Sequence, residues 1–211
     1  MKKIFFVLML FLSVEMSGQI SLGVKGGLNI NQLILPTTIG FGHAISNADL
    51  GYFIGVSGEY EKNNFVVDCS LLFNNKKGRW EYYKEEDGFD GSLTDNINYL
   101  TFPITGGYKF NFAEDLKVVC LTGISMNYKL NSYEKFRIYG EGERADFGYR
   151  RYKKFPLGLV LTCGVETGRA RISIGYDIGL THALTTNYDT EDGVERKGYM
   201  RNFIMSVKYF F

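Results

Sequence analysis

The stretch FPLGLVLTCGVETGRARISIGYDIGLTH, residues 155–182, decides the fold. Large apolar side chains alternate along both of its halves with glycine, small polar residues and charges, and a period of two is the signature of a β-strand. Residues 167–170 separate the halves and contain a glycine, which predicts a β-hairpin. One apolar face and one glycine-rich polar face suit a strand with lipid outside and a narrow polar lumen inside.

The first residues have the pattern of an export signal. Lys2 and Lys3 precede an apolar run at residues 4–12, and Ser17 and Gly18 supply small residues for cleavage. The run is too short for a transmembrane helix, which needs about 20 residues. We therefore expect residues 1–18 to be a signal peptide, cleaved near Gly18-Gln19, and residues 19–211 to form one outer-membrane β-barrel domain.

The charge balance excludes some classes of partner. The chain has 24 basic and 23 acidic residues, and removing Lys2, Lys3 and Glu15 with the signal leaves equal numbers. A net charge of zero gives no electrostatic basis for binding nucleic acid. Aromatic residues make up 16% of the chain, with 25 glycines and only 3 prolines, as expected for a protein of long β-strands.

Eight runs of alternating residues, each about ten residues long, have the length of tilted strands that cross a bilayer. They lie near residues 20–30, 50–60, 65–74, 97–110 and 116–128, in the two halves of the opening stretch, and at 198–211. Long connections at 31–49, 74–96, 129–153 and 183–197 alternate with short ones near 61, 111 and 167. The predicted fold is all-β, an eight-stranded antiparallel up-and-down transmembrane β-barrel with short periplasmic turns and long outer loops.

Two residue types constrain details of this barrel. Pro103 lacks a backbone donor, so its strand needs a bulge or a locally unpaired position. Cys69, Cys120 and Cys163 match no metal-binding spacing and fall on the apolar side of their strands. We expect them to be unpaired, small lipid-facing side chains.

Several segments resemble known outer-membrane proteins. The last strand ends in Tyr209 and Phe211, which resembles the terminal aromatic signal read by the barrel assembly machinery. GVKGGLNIN from Gly23, YLTFP from Tyr99 and GLVLTCGVE from Gly158 resemble the PorT-like outer-membrane β-barrel domain family. That resemblance implies a small eight-stranded barrel, and one such protein is linked to secretion across the outer membrane. The matching residues are structural and imply no catalytic residue or cofactor.

Charged residues on the inward-facing positions form the main candidate site. An eight-stranded barrel is only wide enough for side chains to fill, and buried charges must pair. We predict a structural network of salt bridges that plugs the lumen, with a proton or ion path as the alternative. Its members are Lys25, Glu59, Asp68, Lys109, Lys117, Glu166, Arg171, Asp177 and Lys208.

Two other functions remain open at this stage. His182 lies near Asp189 and Asp192 at the outer rim, where an enzyme acting on lipid could use a histidine with an acid and a nucleophile. No G-x-S-x-G nucleophile motif is present. A soluble, exported barrel that binds a small apolar ligand would need its apolar face to point inward.

The outer loops are the remaining candidate surfaces. Residues 74–96 combine aromatic and acidic side chains, which can form a recognition surface, although their spacing fits no defined calcium loop. The arginines of residues 129–153 could bind lipopolysaccharide phosphates. We therefore expect a non-enzymatic structural, interaction or secretion-accessory protein without cofactor or metal. Its expected partners are outer-membrane lipid, lipopolysaccharide, the barrel assembly machinery and a protein bound at the outer loops.

Overall fold

The computed structural model describes residues 18–34, 43–84, 89–138, 142–145, 150–186 and 196–211. Eleven strands lie within these ranges: β1 (Gln19–Ile34), β2 (His43–Lys62), β3 (Phe65–Lys84), β4 (Phe89–Ala113), β5 (Leu116–Ile138), β6 (Gly142–Ala145), β7 (Arg150–Tyr152), β8 (Leu157–Thr167), β9 (Ala170–Gly179), β10 (Leu184–Thr186) and β11 (Arg196–Phe210). All but β6, β7 and β10 are long. The same residues include no helix that is both long and apolar enough to cross a membrane.

The eight long strands close into a barrel. Each pairs antiparallel with the next in the order β1, β2, β3, β4, β5, β8, β9 and β11, and β11 returns to β1. The closing pair runs in register from Gly23 opposite Phe210 to Ile34 opposite Tyr199. Closure leaves no backbone edge unpaired, as a sheet in lipid requires. The predicted eight-stranded antiparallel barrel is confirmed.

The two faces of the sheet are sorted as the alternation predicts. In β8, Leu157, Leu161 and Val165 are exposed on the outer wall, whereas Val160 and Glu166 are buried in the lumen. Exposed large apolar side chains occur on every one of the eight long strands. A soluble barrel with an apolar cavity would need the opposite sorting, so that alternative does not fit the fold.

Two-residue turns join the strands at one end of the barrel, here called the short-turn end. They are residues 63–64, 114–115 and 168–169. Asn63 and Asn64 both have positive φ, 51° and 68°, as a tight hairpin turn with the twist of its strands requires. Gly168 also has positive φ, at 53°. In outer-membrane barrels short turns of this kind face the periplasm and the long loops face outward.

Four strands are roughly ten residues longer than predicted, and β1 is longer by five. β2, β3, β4 and β5 contain 20, 20, 25 and 23 residues, although about ten suffice to cross a bilayer. Much of the predicted loops at 31–49, 74–96 and 129–153 is therefore strand, and those loop boundaries were wrong. Beyond the bilayer the outer face of the sheet meets water while inward residues such as Asp95 and Ile97 stay buried, so the apolar alternation that marks a membrane strand is lost. The continuation of β3 that Trp80, Tyr82 and Tyr83 indicated is confirmed.

Pro103 occupies the unpaired position that the sequence predicts. Cys69 lies opposite Ile104, and Leu72 lies opposite Thr101, but the two residues between them on each strand are not paired across β3 and β4. Because proline has no backbone N–H to donate, this gap accommodates it without a change of register.

Two of the three cysteines form a disulfide, so the prediction that all are unpaired was wrong. Cys120 on β5 and Cys163 on β8 lie directly opposite each other, and their Cα atoms are 4.3 Å apart. That separation is close to the ~4.5 Å of a non-hydrogen-bonded antiparallel pair. The two residues are 43 apart in sequence and meet through the register of β5 and β8. Cys69 is a free thiol exposed on the outer wall.

Candidate functional site

A cluster of charged side chains fills the lumen toward the short-turn end, and Glu59 on β2 lies at its centre. The carboxylate accepts two hydrogen bonds from the guanidinium of Arg171 on β9, at 2.8 and 2.7 Å. It also accepts one from the ammonium of Lys208 on β11, at 3.0 Å, and one from that of Lys109 on β4, at 3.3 Å. One carboxylate therefore connects four strands across the lumen.

Two further carboxylates balance the cations of this cluster. Glu166 on β8 accepts hydrogen bonds from Arg171 and, at 3.0 Å, from Lys109. Asp68 on β3 accepts one from Lys208. All six side chains of the cluster are buried. A buried charge is tolerated when it meets an opposite charge and makes hydrogen bonds, and each member does so here.

Phe210 and Glu61 close the cluster on the side of the short turns. The ring centre of Phe210 lies 4.6 Å from Nζ of Lys208 and 5.1 Å from Cζ of Arg171, which are cation–π distances. Glu61 is partly exposed and accepts a 2.6 Å hydrogen bond from Lys109. Phe210 was not predicted as a lumen residue, although it alternates with the outward-facing Tyr209 and Phe211.

The structure brings six of the nine predicted lumen residues into this cluster: Glu59, Asp68, Lys109, Glu166, Arg171 and Lys208. Asp177 belongs to a separate group. Lys25 and Lys117 form no ion pair with any residue that the structure describes. Lys25 lines an internal cavity, and Lys117 is partly exposed at the short-turn end.

Asp177 on β9 organises a second group, nearer the middle of the lumen. Its carboxylate accepts hydrogen bonds from Lys76 at 3.1 Å, Ser125 at 3.1 Å and Asn202 at 3.0 Å. Lys76 escaped prediction because residues 74–96 were interpreted as a loop. Asn74 and Lys76 are two residues apart, so they share the inward-facing side of β3. Extending the alternation past Asn74 would have predicted Lys76 as a lumen residue.

A small cavity of about 40 Å³ lies in the middle of the lumen beside these groups. Polar side chains cross it in a chain of hydrogen bonds, from Asn29 to Asn74 at 2.8 Å, on to Thr101 at 3.4 Å, and to Asn127 at 2.8 Å. A buried water needs roughly 10–15 Å³, so the cavity has room for about three waters.

An apolar cap closes the lumen at the long-loop end. The short strands β7 and β10 fold back there, pairing with each other, while β10 also pairs with β11. The hydroxyl of Tyr152 donates to the carboxylate of Asp95. Tyr152 and Leu184 lie in segments that were predicted as loops, where an isolated apolar residue carries no periodicity. The buried members of the cap are Leu33, Ile97, Tyr99, Tyr152, Ala183, Leu184 and Met200.

The surroundings of His182 do not assemble a catalytic site in the part of the chain that is described. The ring is partly exposed just after β9 and makes no hydrogen bond or ion pair with a described residue. Asp189 and Asp192 lie outside the described residues, as do residues 85–87 of the acidic loop and residues 1–17 of the predicted signal. Within the described ranges no group of three or more His, Cys, Asp or Glu side chains could hold a metal ion.

The two residues of the predicted assembly signal lie on the outer wall at the short-turn end. Tyr209 and Phe211 are both exposed, and their rings meet edge to face with centres 6.4 Å apart. This is the position of an aromatic girdle at the membrane interface.

A closed antiparallel barrel with an apolar outer wall and a polar, filled lumen defines a β-barrel protein of the outer membrane. The chain belongs to the outer membrane protein beta-barrel domain family, whose family model matches residues 14–188. No curated protein matches the sequence.

Solved structures similar to this chain are also outer-membrane proteins. OprG from Pseudomonas aeruginosa is 13% identical, with a TM-score of 0.53, over 90% of this chain and 95% of OprG. Ail of Yersinia pestis, solved with the heparin analogue sucrose octasulfate, is 13% identical over 92% of this chain and 99% of Ail, with a TM-score of 0.38. The Escherichia coli protease OmpT is 11% identical over 93% of this chain and 98% of OmpT, with a TM-score of 0.40. At such identities the OprG match bears on the fold alone.

Proposed function

We propose that this chain is a non-enzymatic outer-membrane protein with a sealed barrel, which serves as a rigid base for interactions at its long-loop end. It is exported with a signal peptide that is cleaved near Gly18-Gln19, and the barrel assembly machinery inserts it by reading its last strand. The resemblance to PorT-like proteins favours a role as an accessory to secretion or assembly.

The observation that carries this proposal is the filled lumen. The buried cluster around Glu59 and the apolar cap around Tyr99 occupy its two ends, with a cavity of about 40 Å³ between them. A pore would need a continuous aqueous path, which larger barrels provide and an eight-stranded one does not. The extended β2, β3, β4 and β5 instead supply a sheet that projects beyond the bilayer.

Conductance across planar lipid bilayers tests whether the filled lumen blocks the passage of ions. The purified, folded mature chain should add no stable current steps at any ion concentration, because no ion path passes the buried cluster. Regular steps that scale with salt concentration would show a pore and remove the proposal.

The rim-enzyme alternative is tested separately with His182→Ala. Lipids extracted from cells that carry this variant should have the same composition as lipids from cells with the unaltered chain, because His182 has no described catalytic partner. A lipid modification that is present with the unaltered chain and lost with H182A would establish an enzyme.

The role in secretion is tested with a chain shortened above the bilayer. Removing residues 80–93 joins Arg79 directly to Thr94, so these two residues can form the turn that closes the hairpin between the paired Gly78 and Asp95. In a deletion strain, the full chain should restore the content of secreted proteins and the shortened chain should not, although both fold. Equal rescue by both would place the function elsewhere.

A further inference from the structure

A polar groove of about 430 Å³ lies on the outer wall at the long-loop end. It is built mainly by β3, β4 and β5, and its lining includes Lys77, Arg79, Thr94, Tyr133 and Lys135. The strand alternation fixes the direction of these side chains. Because the neighbouring Lys76 reaches Asp177 in the lumen, Lys77 and Arg79 face away from it. The groove therefore opens away from the lumen, toward the lipid or solvent around the barrel.

Aromatic side chains mark where the bilayer ends below the groove. Tyr52 and Phe73 form a ring pair on the outer wall, with centres 6.3 Å apart, and such girdles lie at the membrane interface. Lys77 is four residues beyond Phe73 on β3. At about 3.4 Å per residue and a tilt of about 40°, Lys77 is about 10 Å above the girdle. The groove thus lies level with the headgroups of the outer leaflet.

The lining of the groove combines positive charge with an unsatisfied acceptor. Lys77 and Lys135 supply two cations, and the guanidinium of Arg79 lies beside them. Asn75, which is only 5% exposed, also lines the groove, and its side-chain oxygen has no hydrogen-bond partner among the described residues. A buried acceptor without a partner is unfavourable, so a hydroxyl donor from a bound molecule would stabilise it.

Amide side chains hold Asn75 in place. Its nitrogen donates to Asn98 at 2.7 Å, and Asn98 in turn donates to Asn131 at 2.6 Å, which links the three strands along the outer wall. One carboxylate, Asp49, also lines the groove and accepts a 2.7 Å hydrogen bond from the backbone of Leu50. Among the described lining residues Lys77 and Lys135 outnumber this acid, so the groove favours an anion that also carries hydroxyl groups.

We propose that this groove binds the phosphorylated sugar headgroup of lipopolysaccharide in the outer leaflet. Lys77 and Lys135 would bind phosphate, and Asn75 would accept a hydrogen bond from a sugar hydroxyl. A phospholipid headgroup such as phosphatidylethanolamine offers an ammonium donor, which these two cations repel. This inference rests on the proposed function for placing the long-loop end outside, and it adds the lipid partner.

A binding measurement with a matched control tests the site. The folded mature chain is titrated with lipopolysaccharide of truncated core, with the same molecule after phosphatase treatment, and with phosphatidylglycerol. The test variant is Lys77→Gln with Lys135→Gln. The control is Lys197→Gln with Arg201→Gln, which removes two exposed charges from β11, the strand opposite β4 around the barrel.

The unaltered chain should prefer the phosphorylated lipopolysaccharide. K77Q/K135Q should bind it at least about tenfold more weakly, the effect of losing one charge-assisted hydrogen bond, and K197Q/R201Q should bind it unchanged. Equal losses in both variants, no loss in K77Q/K135Q, or equal affinity for phosphatidylglycerol would overturn the assignment. A mobility shift on unboiled gels verifies that each variant is folded, and the conductance test without lipopolysaccharide reports on the proposed function independently.

Discussion

Arg171 on β9 binds Glu59 on β2 through two hydrogen bonds, 2.8 and 2.7 Å long, although 112 residues separate them in the chain. The planar guanidinium and the carboxylate match each other's geometry, which gives both strength and orientation. Because Glu59 also accepts hydrogen bonds from Lys109 and Lys208, this pair lies at the centre of the charged cluster that fills one end of the lumen.

Replacing Glu59 with glutamine tests how much the charged cluster contributes to the free energy of unfolding. E59Q keeps the size of the side chain but leaves Arg171 and Lys208 with one carboxylate fewer. Breaking a buried ion pair by removing one partner costs about 3–5 kcal/mol, so the free energy of unfolding should fall by about that amount. The measurement is the urea dependence of the folded fraction in lipid vesicles, followed on unboiled gels.

Lys117→Gln is the matched control for E59Q. Lys117 also occupies an inward-facing position, but it is partly exposed and forms no ion pair with a described residue. The free energy of unfolding should therefore change by no more than about 0.5 kcal/mol. If E59Q and K117Q had the same small effect, the cluster would not stabilise the barrel.

The disulfide predicts how many thiols react. After unfolding without reductant, an alkylating reagent should add one label, at Cys69, because Cys120 and Cys163 are joined. After reduction it should add three labels. Intact-protein mass spectrometry counts them, and three labels before reduction would contradict the cross-strand disulfide.

The expected signal cleavage predicts the start of the mature chain. Protein purified from an outer-membrane fraction should begin at Gln19, which is also the first residue of β1. N-terminal sequencing or the intact mass checks this. A chain that retained residues 1–18 would show that the apolar run is not removed.

The alternation of apolar and small polar residues was sufficient to predict the barrel within the bilayer. In β8 and β9 outward positions meet lipid and inward positions meet a crowded lumen, so the character of most residues reports their face, with Val160 an apolar exception in the lumen. The same logic predicted Glu59, Arg171 and the four further charges that form the cluster in the lumen. Above the bilayer the outer faces of β3 and β4 meet water, so the apolar half of the alternation is lost, and Lys76 was missed although it lies on the buried inner face.

Contacts that depend on register could not be predicted from the sequence. Cys120 and Cys163 meet only because β5 pairs with β8 in one alignment, and a shift of two residues would separate them. Tyr152 and Leu184 reach the apolar cap through the short strands β7 and β10, in segments without periodicity. Such contacts follow from how the whole chain closes, not from any local pattern.

The central claim is a closed barrel in the outer membrane, and heat modifiability after membrane fractionation tests it most directly. The mature chain is extracted from the outer-membrane fraction in mild detergent, and unboiled and boiled samples are compared on a denaturing gel. We expect the unboiled protein to migrate differently from the boiled one, because the pairing of β1 with β11 keeps the barrel closed in detergent. A soluble protein whose mobility does not change on boiling would contradict the closed membrane barrel.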